Sequence, residues 1–83
     1  MTSPSGEDRQ RALITALLFQ VDDLEGQWPA EQLHDLRGAL RTAHQALEVH
    51  GEPEEAAAIL SQVPWPPALE RARMALQADL LSP

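Results

Sequence analysis

The chain has 83 residues, no cysteine, and 13 acidic against 6 basic side chains, all six of them arginine, for a net charge of −7. That length holds one domain at most, with a core too small to be generous, and neither a disulfide nor a thiolate metal site can brace it. The acidic balance opposes phosphate backbones and anionic membranes alike, so nucleic acid and lipid are poor partners and a basic or neutral protein surface is a better one.

Read in chain order, residues 1–6 (Met-Thr-Ser-Pro-Ser-Gly) form a polar tail expected to be disordered, and 7–81 a single helical domain. The first helix is expected over 7–24. Ser5 followed by Asp8 resembles a capping box. Leu13, Leu17, Val21 and Leu24, with Ile14 and Leu18 beside them, make a wide apolar stripe, and Phe19 falls well off its centre. Gly26 ends the segment. The second helix is expected over 29–50, opened by Pro29 with Glu31 in its first turn. Leu33, Leu36, Leu40, Ala43 and Leu47 follow in coiled-coil-like steps, and Gly51 is placed to cap the helix. Gly38, inside that helix, costs about 1 kcal/mol against alanine, which a close helix crossing would explain.

The third helix is expected over 53–63, with Ala56, Ile59, Leu60 and Val63 on one face. The run Pro64-Trp65-Pro66-Pro67 stops it, because proline neither donates a backbone hydrogen bond nor tolerates a helical residue before it. The last helix, over 67–81, places Leu69, Ala72, Leu76 and Leu80 on one side. No period-two run marks a strand. The expected fold is all-α: three to four short antiparallel helices around a central helix-turn-helix hairpin.

Side chains that could carry chemistry are sparse. His34, His44 and His50 share no helical face, so no metal pair is expected, and His44 sits one turn before Glu48 as a surface pair. Asp22, Asp23 and Glu25 crowd the end of the first helix, where the helix dipole disfavours anions. Two readings stay open. The helix frays near Val21 and leaves the acids solvated, or they form an acidic lip for a partner's Arg or Lys. The cluster does not match a calcium loop. Trp28 and Trp65 stand beside prolines at helix junctions. Trp28 is expected to staple its turn, and Trp65, held rigid between Pro64 and Pro66, to act as staple or interface anchor. No nucleophile motif or phosphate-cradling loop occurs, so neither an enzyme nor a cofactor is expected.

The middle pair of helices resembles the tetratricopeptide repeat. Leu40, Ala43, Leu47, Ala56 and Leu60 fall at positions of that family's pattern, with Ala43 and Ala56 facing each other where the helices cross, though its Trp and Gly are replaced by Leu40 and His44. The stretch from Gly51 through Glu55-Ala56 to Pro64-Trp65-Pro66 and Ala68-Leu69-Glu70 further looks like the tetratricopeptide-type chaperones of type III secretion needle subunits. That resemblance implies a cytoplasmic, non-enzymatic protein holding a partner helix in an apolar groove. Those proteins are longer than this chain.

The leading expectation is therefore a small acidic adaptor or chaperone that receives an amphipathic helix between the first and last helices. Leu17, Val21, Leu76 and Leu80 would line the groove, Trp65 would anchor one end, and Asp22 and Asp23 would supply its rim. The alternative is a helical structural protein that associates with its own copies through the seam of Leu33, Leu36, Leu40, Ala43 and Leu47. No stretch approaches the roughly 20 apolar residues of a membrane span, and the acidic first residues do not read as a secretory signal, so a cytoplasmic location is expected.

Overall fold

The computed structural model describes residues 6–81, and the side chains from Asp8 onward. Four α-helices follow one another: α1 Gly6–Asp23, α2 Ala30–Gln45, α3 Pro53–Leu60 and α4 Glu70–Leu81. Among the described residues there is no strand, only a single bridge between Glu25 and Trp28 around the turn at Gly26. No helix is long and apolar enough to cross a membrane. Residues 1–5, and with them Ser5 of the expected capping box, lie outside the described residues. Gly6, expected in the tail, is the first residue of α1.

Each boundary has a local cause. Pro29 is extended (φ −55°, ψ 134°), and its carbonyl accepts the Leu33 N–H at 3.1 Å, which starts α2. The last turn of that helical run, Ala46–His50, is a π turn rather than a continuation of the α-helix. It closes on Gly51, whose φ of +61° suits glycine; Gly51 N–H reaches Leu47 and Glu52 N–H reaches Ala46, so carbonyls of the final turn are satisfied.

Helix α3 ends at Leu60, three residues before the expected Val63. Val63 precedes Pro64 and is pushed away from helical angles. Pro64 also lacks the N–H that would serve the Leu60 carbonyl four residues back. The Trp65 indole fills the gap, donating from Nε1 to that carbonyl at 2.9 Å. A 3-10 turn, Pro67–Leu69, then leads into α4, so the regular helix begins at Glu70 rather than at Pro67.

The helices form a closed ring. α2 packs against α1 and α3, α3 against α4, and α4 returns to α1, which also touches the π turn. The core is the inner stripe of every helix, including Ile14, Leu33, Leu40, Ala43, Leu47, Ala56, Leu60 and Leu76. Ala43 of α2 and Ala56 of α3 are both sealed in the core. The seam of α2 therefore lies inside the chain. Leu33, Leu36 and Leu40 are at most 2% exposed, and association of copies through this seam would require opening the fold.

Candidate functional site

The groove expected between the first and last helices is closed. Leu17, Val21, Leu76 and Leu80 are 3, 0, 1 and 1% exposed. The apolar stripes of α1 and α4 meet and seal each other instead of receiving a partner helix. At one end the Gln10 side-chain amide donates to the Asp79 carbonyl at 3.1 Å, and Arg9 pairs with the Asp79 carboxylate.

The acidic rim is also altered. Helix α1 does not fray at Val21 but holds to Asp23. Asp22 and Glu25 converge on Arg37 of α2 at 2.8 and 2.9 Å, tying α1 and the turn after it to the second helix. Those two carboxylates, Asp22 first, raise the Arg37 guanidinium above its ordinary value by holding its charged form with hydrogen bonds. The expected basic partner of this cluster is thus an arginine of the chain itself. Of the three acids Asp23 remains outside, exposed and in no ion pair among the described residues.

Trp65 is half-buried, packs on the core, and spends its only donor on α3. It acts as a staple, as Trp28 does at the α1–α2 junction, where it too is half-buried against the core. His44 Nδ1 lies 3.4 Å from Glu48, the surface pair expected from their spacing. Among the described residues no group of three His, Cys, Asp or Glu side chains could hold a metal ion.

What the sequence reading missed lies outside the ring. Gly38 does not serve a helix crossing: it is exposed, and a Cβ there would meet nothing within 4 Å. It sits instead in a shallow groove along the outside of α2 and α3. His34, Asp35, Gly38, Ile59, Gln62 and Val63 line one half, and Thr42, Gln45, His50, Glu55 and again Ile59 line the other. Of its acidic lining residues, Asp35 stands in the first half and Glu55 in the second, both exposed and in no ion pair among the described residues. The second missed feature is a set of large apolar side chains on the surface: Phe19, Val49, Met74 and Leu81, each at least 60% exposed. Only Phe19 had a readable signal, its position off the apolar stripe.

Compared with known protein families, curated proteins and solved structures, the chain gives no match, so its function rests on this geometry.

Proposed function

We propose that this protein is a small non-enzymatic adaptor, acting in the cytoplasm, that binds a basic amphipathic helix of another protein in the outer groove of α2 and α3. The observation that carries this reading is Gly38. A glycine in a helix interior costs about 1 kcal/mol against alanine, and no contact within the chain makes use of it. Its bare backbone shares one half of the groove with Ile59, Val63 and the Asp35 carboxylate, and Glu55 lines the other half beyond Ile59. A partner helix could approach the backbone closely there, bury its apolar side on Ile59, and set Lys or Arg against the acids. The narrower reading, a chaperone of a type III secretion component, draws support only from the stretch between Gly51 and Glu70.

Gly38→Gln tests the proposal because it separates folding from binding. Glutamine is a better helix former and its Cβ would meet nothing within 4 Å, so the melting temperature should rise while partner binding falls. The wild-type chain and the variant are used as bait, and the partner captured by the former is measured against both by calorimetry at two salt concentrations. Expected are tighter binding to the wild type and weakening with salt. Equal affinity for both chains would overturn the reading.

A further inference from the structure

We propose that two copies of this chain associate through the outer layer of α1 and α4, a face separate from the α2–α3 groove. The two helices pack on each other at the close of the ring, and the start of α1 meets the end of α4, where Gln10 bonds Asp79. That bond sets their relative level. Counting down one helix and up the other, to within one residue Ala12 lies level with Ala78, Ala16 with Met74 and Phe19 with Arg71. All six are exposed on the outer side.

A two-fold axis parallel to these helices moves no residue along its length. It therefore lays α1 of one copy on α4 of its twin in the register they already hold within the chain. Met74 then covers Ala16, large against small. Ala12 meets Ala78, allowing close approach. Arg71 lies over the Phe19 ring, a favourable cation–aromatic geometry. The symmetry makes each contact twice.

A second copy is the occupant whose charged groups complement this face, and the net charge of −7 opposes it least here. The segment 24–69 holds seven acids against Arg37 and Arg41, whereas α4 is balanced, with two acids and two arginines, and α1 has four acids and two arginines. Most of the acidic excess thus faces away from the joint. Arg71 and Asp23, both exposed and in no ion pair among the described residues, become partners across it, Asp23 being one turn beyond Phe19 on the same face. A core this small also gains from burying more apolar surface.

The test is the solution mass of the full chain by light scattering across a dilution series. Expected is a dimer of twice 9.1 kDa. Met74→Glu and Ala16→Glu should each halve the mass while leaving the circular dichroism helical. Arg71→Glu should weaken the dimer, and adding Asp23→Arg should restore it. Should Ala16→Glu unfold, Met74→Glu decides alone, its side chain being 60% exposed. A monomer at every concentration, a mass that grows without limit, or a dimer indifferent to Met74→Glu would each overturn the proposal.

Discussion

Leu40 of α2 and Leu76 of α4 are sealed alike, at 0 and 1% exposed, yet the backs of the two helices differ. The outer side of α2 is polar, carrying Glu31, His34, Asp35, Arg41, Thr42 and Gln45 around the bare Gly38. The outer side of α4 is Arg71, Met74, Ala75, Ala78 and Leu81, and that of α1 includes Ala12, Ala16 and Phe19. A helix with one apolar stripe has a single orientation to choose; a helix apolar on both sides has two. The α2–α3 half declares its inside by contrast, and the α1–α4 half acquires an inside only when the two helices meet. The first half presents a charged groove to the outside, the second a surface where Ala12, Ala16, Phe19, Met74 and Ala78 stand among polar side chains.

The sharpest way to break that comparison is to charge the inside of the second half. Leu17→Asp and Leu76→Asp should each abolish the helical circular dichroism signal, because a buried unpaired carboxylate costs more than so small a domain has to spare. A variant that stays folded would mean that α1 or α4 is not part of the core. In the first half, Leu40→Ala and Leu47→Ala should cost about 2–5 kcal/mol in urea unfolding through lost burial and residual cavity; losses below about 1 kcal/mol for both would place them outside the core.

A smaller effect probes the junction between the halves. Trp65→Phe keeps an aromatic ring but removes the indole donor that serves the Leu60 carbonyl, and should cost about 1–3 kcal/mol, the cost of an unsatisfied part-buried acceptor. No loss would mean that water serves that carbonyl as well as the indole does. The smallest effect is on the α4 surface. Arg73 hydrogen-bonds Glu70 and holds its carboxyl below the usual glutamate range. A depressed folded-state value means that this pair stabilises the fold above the ordinary glutamate range and that the contribution fades as pH falls through the lower folded value. Carboxyl titration by nuclear magnetic resonance should find a lowered Glu70 midpoint that returns toward normal in Arg73→Gln; an unchanged midpoint in that variant would remove Arg73 as the cause.

Much of the architecture was legible because the punctuation is strong. Pro29, Gly51, Pro53 and Pro64 place four helices to within a few residues, and the even steps from Leu33 to Leu47 identify the inside of α2. The π turn was invisible, since Ala46 and Leu47 suit an α-helix equally well. So was the role of Trp65, which follows from a missing N–H at Pro64 rather than from any periodicity. The expected groove failed for a different reason. The apolar stripes of α1 and α4 were read correctly, but a helical wheel does not say which helices meet, and here Gln10 and Asp79 lie 69 residues apart. Asp22 and Glu25 were read as facing outward for the same reason: Arg37, their partner, is more than three turns further along the chain.

The two tryptophans have a use in the laboratory that follows from where they sit. Trp28 lies at the junction of α1 and α2, and Trp65 at the junction of α3 and α4, with its indole hydrogen engaged. With no tyrosine in the chain, fluorescence excited in the near ultraviolet comes almost wholly from these two rings. Trp28→Phe leaves a chain whose emission reports the α3–α4 junction alone, and Trp65→Phe one that reports the other. If both traces fall at the same denaturant concentration, after allowing for the stability each substitution removes, the ring melts as one cooperative unit. Separated midpoints would instead mark a joint at which the molecule opens before it unfolds.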